Sequence, residues 1–239
     1  MFKSKKVGNG LIYYSDLIPE LEHFFTGRDT NVDDNFDLIC KYLGVAPENL
    51  IHPNQTHSSN VDFAKVGQSE YKETDALILT NFEQAVYLRF ADCTPVILYD
   101  KKANIGAIAH AGWRGTVAQI VPKTVQKMIE YTKSDLSDIY AVVGPAIGLC
   151  CYEVGDEVVD GIKQSVKNTK DIIVMHNGKP HVDLKRANAK QLTEFGVPQE
   201  NIDICPYCTS CDNDKFFSYR KEHGTTHRHN AVIKLIHKP

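Results

Sequence analysis

Hydrophobic and polar positions along this chain follow two periods, and the switches between them mark its elements. Alternating or continuous apolar runs predict strands over residues 11–15, 22–26, 49–53, 59–64, 75–80 and 84–90. A further run from Val96 to Tyr99 turns at residues 100–104 and returns through 105–109, which reads as a buried antiparallel hairpin. Later strands are expected at 139–143, 172–175, 202–205, 216–219 and 231–236. Helical spacing appears at Phe36, Ile39, Cys40 and Leu43, with Asn35 as the expected N-cap and Gly44 as the stop. Val117, Ile120, Val121, Val125, Met128 and Ile129 share one helical face, in which Pro122 is expected to produce a kink. Residues 153–166 read as a helix, and Asp183 is placed to cap another whose stripe is Leu184, Ala187, Leu192 and Phe195. Strands and helices are interspersed without a repeat or linker. The pattern therefore predicts one α/β domain over residues 1–239, made of mixed β-sheets with helices packed on them.

Composition narrows the class. Of the 239 residues 42% are hydrophobic and 24% charged, enough to build a core. A net charge of −3 gives no electrostatic case for nucleic acid as a partner. The apolar run 11–14 behind Lys3, Lys5 and Lys6 is too short for a secretory signal, and no stretch approaches the roughly eighteen apolar residues of a membrane span. A cytoplasmic protein with no membrane partner is expected; the sequence is silent on oligomeric state. Its seven cysteines are an odd number, and in a reducing compartment they serve as thiols or ligands.

Candidate chemistry gathers on the hairpin. Cys93 precedes its first strand and His110 ends its second, so antiparallel pairing brings a thiol and an imidazole to one sheet edge. His57 lies in the polar run Asn54-Gln55-Thr56-His57-Ser58, where a loop can deliver it to that edge. Two imidazoles and a thiolate with an open fourth position suit a catalytic zinc, and one such ion per chain is expected. Copper suits the set less well. A blue-copper site keeps its Cys, second His and axial Met close together on one loop, whereas Cys93 and His110 lie on separate strands and the methionines are Met1, Met128 and Met175.

Around this trio, Asp92 reads either as an orienting or acid–base group or as a turn cap. Arg114, just before a helix, reads as an anion ligand or as a cation lying over Trp113. Arg28 and Arg220 are further candidates for phosphate. Cys205, Cys208 and Cys211 lack a fourth ligand at ferredoxin spacing, though Cys150-Cys151 could supply one. The expectation is that they hold no metal, with Cys208 packing as a small apolar side chain and Cys211 in a polar loop. His223, His227 and His229 read as a solvated basic turn before the last strand.

The runs NQTHSSNV (54–61), TDALILT (74–80), ADCTPVILYD (91–100), AHAGWRGT (109–116), VGPAIGLCCYEVG (143–155), VDL (182–184) and FFSYR (216–220) together resemble the laccase-domain family. Its members were first described as polyphenol oxidases and later recognised as zinc-dependent purine nucleoside phosphorylases that also deaminate adenosine. The resemblance implies that His57, Cys93 and His110 bind the zinc, that Arg28 faces phosphate, and that purine nucleosides are the substrates, methylthioadenosine possible among them. Asn54, Gln55 and Arg220 are then expected against the substrate, with Asp92, Arg28 and Arg114 as catalytic groups. Two departures bear on one pocket wall: the family's Thr-Gly-Arg-Met run appears as Thr225-Thr226-His227-Arg228-His229, and Cys205 and Cys211 flank the one cysteine, Cys208, that the family leads one to expect. Three rival readings remain at this stage: a copper polyphenol oxidase, a metal-dependent amide hydrolase, and a non-enzymatic partner of the envelope or division machinery.

Overall fold

Two six-stranded sheets face each other in the computed structural model, which describes residues 1–237, and helices cover their outer faces. The chain opens with β1 (Phe2–Val7), β2 (Gly10–Ser15), β3 (Leu21–Thr26), α1 (Val32–Leu43), β4 (Leu50–Ile51), β5 (Val61–Phe63) and β6 (Ala76–Leu79). Then come β7 (Ala85–Phe90), β8 (Thr94–Asp100), β9 (Ile105–Ala111), α2 (Trp113–Val117), α3 (Ile120–Thr132) and β10 (Ile139–Val143). The last part holds α4 (Asp156–Ser165), β11 (Ile173–His176), β12 (Lys179–Val182), α5 (Leu184–Phe195), β13 (Ile202–Ile204) and β14 (His229–Leu235). One sheet has the order β1-β2-β3-β14-β7-β4 and the other β13-β10-β8-β9-β6-β5, while β11 and β12 form a small ribbon. This is the expected α/β class with mixed sheets: most pairs are antiparallel, and β4–β7, β5–β6 and β10–β13 are parallel.

The hairpin of β8 and β9 is continuous in apolar residues because it is covered on both faces. Ile97 and Tyr99 point into the core between the sheets, where they meet Phe25, Leu88 and Ile233. Their neighbours Val96 and Leu98 point the other way, under α3 and α5. Ala107 and Ala109 on β9 add little bulk on that face, so Val121, Val125 and Met128 of α3 settle onto it. Each such fully buried aliphatic side chain contributes about 1.5–3 kcal/mol. On the opposite side, Ile39 and Leu43 of α1 pack on Phe24, Tyr87 and Val232.

Local chemistry moves several expected boundaries. Asn31, not Asn35, caps α1, its side chain accepting from the Asp34 N–H at 3.0 Å; Asn35 lies inside the helix at a non-helical φ of −129°. Gly44 ends that helix at φ 62°, as expected. Pro122 produces no kink. The apolar face is divided at Gln119, φ 57°, and Pro122 is the third residue of α3, where an N–H has no intrahelical acceptor to lose. Asp183 caps α5 through the Arg186 N–H at 3.0 Å, and the preceding helix starts only at Asp156. Residues 216–219 form no strand; Phe216 is instead a buried plug in the core between the sheets. The sequence reading missed β1, an edge strand whose lysines hide its pairing with β2. No helix among the described residues is long and apolar enough to cross a membrane.

Candidate metal centre

Register in the hairpin decides where the chemistry sits. Pro95 pairs with His110 and Thr94 with Ala111, so Cys93, one residue before β8, stands at the same sheet edge as His110. His57 reaches that edge from the loop between β4 and β5 and takes a left-handed backbone, φ 61°. The ligand atoms of His57, Cys93 and His110 lie within 4.8 Å of one another, and His57 Nε2 is 3.8 Å from Cys93 Sγ. The three side chains assembled from the sequence do converge.

Asp75 organises them, and the sequence reading gave it no role. The residue is wholly buried just before β6. Its Oδ1 accepts from His110 Nδ1 at 2.7 Å and from the His57 N–H at 3.1 Å. Its Oδ2 accepts from the N–H groups of Thr56 (3.1 Å) and Ser58 (2.8 Å) and from the Ser58 hydroxyl (2.7 Å). One carboxylate thus shapes the loop that carries His57 and fixes the tautomer of His110, leaving His110 Nε2 for a ligand. Burial alone would raise its pKa, but His110 and Ser58 outweigh that and hold Asp75 far below the usual carboxylate range. A carboxylate opening an otherwise apolar strand run was the available signal.

The donor set fits a metal. Burial disfavours charge on both Cys93 and His110, yet their partners win: His110 and His57 pull the thiol down to about 6, and Cys93 and Asp75 push the imidazole up to about 9. The thiolate is the form that a metal takes. A Cβ at Gly112 would stand 2.9 Å from Cys93 Sγ and 3.2 Å from His57 Cδ2, so only glycine leaves this cradle open. No methionine is among the described residues lining the site: Met1 is exposed at the N-terminus, Met128 is buried in α3 and Met175 lies exposed on β11.

The trio opens into a cleft of about 1000 Å³. Arg89, Arg114, Arg220 and Arg228 line it, and Asp92 is the one carboxylate lining it among the described residues. Arg114 lies over the Trp113 ring at 4.4 Å, with no carboxylate partner among the described residues. Arg220 donates to the Glu153 carbonyl at 3.0 Å and covers Tyr152. Burial, and then neighbouring Arg89, lower the pKa of Arg228. Asp92 accepts from Thr209 Oγ1 at 2.6 Å and from the Arg220 N–H at 2.7 Å, so it ties two distant loops to the cleft and does not orient His110. Asn54 and Gln55 both line the cleft, the Gln55 amide being held by both backbone groups of Arg89 at 2.8 and 3.0 Å.

Other expected residues lie elsewhere. Arg28 is not part of the cleft lining: its guanidinium is engaged by both Glu222 oxygens, at 2.9 and 3.3 Å, and by the carbonyls of Asn213 and Phe216. His223 and His227 are exposed, as expected of a solvated turn, but His229 starts β14 fully buried beside Phe216, where burial pushes its pKa down to about 3. Arg89 and Arg228 were not foreseen; Arg89 had shown itself as the one charge in an apolar strand run.

Known proteins agree with this architecture. The crystal structure of YlmD from Geobacillus stearothermophilus superimposes with a TM-score of 0.89 at 27% identity, covering 98% of this chain and 99% of that one. A protein named adenosine deaminase RL5, from an unknown prokaryotic organism, is 38% identical over 194 residues, 77% of this chain and 74% of its own length. A purine nucleoside phosphorylase of Bacteroides thetaiotaomicron is 35% identical over 198 residues, 78% of this chain and 73% of its own. The family model described as multi-copper polyphenol oxidoreductase laccase matches residues 21–236, and the chain belongs to that laccase-domain family.

Proposed function

We propose that the protein is a zinc-dependent purine nucleoside phosphorylase that also deaminates adenosine. The observation that supports this most is a His–Cys–His trio at the edge of a cleft carrying four arginines and flat aromatic surfaces. Trp113, Tyr152 and Tyr219 line the cleft and suit the faces of a purine ring. Arg114, free of any carboxylate among the described residues, is the best placed to hold phosphate, with Arg228 adding to the field, whereas Arg89 is already paired with Asp33 at 2.6 Å. Arg28 is left out of this role because Glu222 already occupies its guanidinium.

In phosphorolysis a phosphate oxygen attacks the anomeric carbon and the purine leaves with the electron pair of the glycosidic bond. Arginines that hold phosphate in line reduce the entropic barrier and offset its charge. In deamination, water replaces the exocyclic amino group and ammonia leaves. His57, Cys93 and His110 would hold the zinc, which when bound supplies Lewis-acid chemistry that makes water nucleophilic near neutral pH. Asp75 keeps His110 in the ligating tautomer throughout, and Asp92 fixes the Arg220 segment against the cleft.

The test is a paired assay on one zinc-loaded sample: phosphate-dependent release of base from inosine and adenosine, and ammonia release from adenosine. Failure to release base in the presence of phosphate would overturn the phosphorylase reading. Stoichiometric copper with vigorous phenol oxidation would replace it by the oxidase reading, against which the lack of a nearby methionine stands.

A further inference from the structure

Four of the seven cysteines meet outside the cleft. The Sγ atoms of Cys150, Cys151, Cys208 and Cys211 lie within 4.8 Å of one another, with Cys150 and Cys151 at 3.5 and 3.4 Å from Cys211. Cys205, three residues earlier, is buried elsewhere and takes no part. We infer that these four thiols form a second metal site, a structural tetrathiolate that takes a single zinc ion.

Geometry fits one ion. In a tetrahedral zinc site with four sulfurs about 2.3 Å from the metal, the sulfurs stand about 3.8 Å apart. The observed separations, from 3.4 Å to no more than 4.8 Å, accommodate that value. A polynuclear iron–sulfur cluster, with its irons set between the thiolates, would hold them farther apart. Distances of 3.4 and 3.5 Å are also too long for a sulfur–sulfur bond.

The backbone builds the site from two segments. Adjacent cysteines on an extended strand point to opposite sides, but Cys150 and Cys151 lie in a turn whose Cys151 and Tyr152 N–H groups both bond the Gly148 carbonyl at 3.0 Å. That turn presents both thiols to the same partner. The Gly148 N–H donates to Cys208 Sγ at 3.1 Å, the kind of bond that steadies a thiolate. A Cβ at Gly148 would stand 3.1 Å from Cys208 Cβ and 3.3 Å from Cys150 Sγ. On the other side, Asp212 Oδ2 accepts from the Cys208 N–H at 3.1 Å, and the Cys208 carbonyl accepts from the Asp212 N–H at 2.7 Å, folding the Cys-x-x-Cys run into a loop. Ala146 and Cys208 form a bridge between the segments, and buried Lys185 holds the carbonyls of Cys205 and Tyr207, both at 2.8 Å. Cys150 and Cys211 are exposed, which leaves an entry path for the ion.

The site replaces the expectation that Cys208 is a lone packing residue and that the chain holds one zinc. Three thiols close in sequence did need a fourth group, and the fold supplies two. Zinc here would clamp the loop bearing Ile147 and Tyr152 to the segment bearing Thr209, which bonds Asp92 beside Cys93. Binding exchanges the protons of four thiols for one dication, so the metal joins segments about sixty residues apart and contributes directly to the fold.

The test is metal content of the full-length protein, refolded with zinc under reducing conditions and freed of loose ions. The parent should carry about two zinc per chain, and Cys93→Ala about one. Cys150→Ser combined with Cys211→Ser should also carry about one, while Cys205→Ser keeps both. The readout is metal and not turnover, so it holds whatever reaction the cleft performs. Cobalt-loaded parent protein checks the same point without mutation, since four thiolates give intense sulfur-to-cobalt charge-transfer bands that persist in Cys93→Ala. A double variant that retains the parent's content, or charge-transfer bands abolished by Cys93→Ala alone, would each overturn the assignment.

Discussion

Asp75→Asn isolates the residue on which the proposed zinc site rests. The carboxylate accepts five hydrogen bonds with no exposure to water. An amide keeps the shape but has one acceptor oxygen, and its NH₂ must face donors on the other side. With its oxygen retained toward His110, the N–H groups of Thr56 and Ser58 are stranded; the Ser58 hydroxyl can turn and donate elsewhere. Two part-buried donors left without acceptors cost at most about 1–3 kcal/mol each, so a loss of up to about 2–6 kcal/mol is expected. That is a large share of the 5–15 kcal/mol typical of a domain, yet leaves the more stable part of the range folded. The same change weakens the hold on His110 and His57, and zinc affinity should fall about 10–100-fold. Denaturant titration of the metal-free protein measures the first effect, and competition with a chromophoric chelator the second. Ser58→Ala, which removes only the hydroxyl donor, serves as the mild control. A variant within about 0.5 kcal/mol of the parent, with parent zinc affinity, would refute the reasoning, because the donors facing the amide would then have cost nothing.

Further outcomes follow from the same geometry. Gly112→Ala should lower zinc affinity with little change in the backbone, whose φ of −64° suits any residue, since its Cβ would press on Cys93 Sγ at 2.9 Å; equal metal affinity in chelator competition would exclude that contact. Arg114→Ala should raise the KM for phosphate about 10–100-fold, the loss of one charge-assisted pair, while ammonia release from adenosine stays near the parent rate; equal losses in both assays would mean that Arg114 binds the nucleoside. Arg28→Ala should cost stability, about 2 kcal/mol, and spare the KM for phosphate, which steady-state kinetics decides. Burial would raise the Glu222 carboxyl, but Arg28 and the Ser218 N–H hold it down at about 2, so its contribution is present above the unfolded value of about 4.3 and is lost as pH falls toward 2. Glu222→Gln should therefore flatten the stability–pH curve between about 4 and 2, and an unchanged curve would remove this pair from the account of acid unfolding.

Much of this protein can be read from its sequence. The β8–β9 hairpin announces itself by apolar residues on both faces, and once it is antiparallel, Cys93 and His110 must share an edge, because strand pairing converts order along the chain into position along the sheet. Chemistry also singled out His57, a ligand type in a run too polar to be core. Other features depend on contacts between distant segments, which no local pattern encodes. Asp75 looks like any acidic residue before a strand until the 54–58 loop folds over it. Arg28 carries the charge suited to phosphate, but Glu222, 194 residues away, takes that charge first. Pro122 breaks a helix only if it lies inside one, and the turn at Gln119 places it at a start. The four thiols separate the two kinds of information most clearly. Local spacing offered three cysteines at 205, 208 and 211, with Cys150-Cys151 able to supply a fourth ligand; the tertiary structure rejects Cys205 and brings both Cys150 and Cys151 across some sixty residues, since a metal site is defined by distances in space and the chain specifies those only after it has folded.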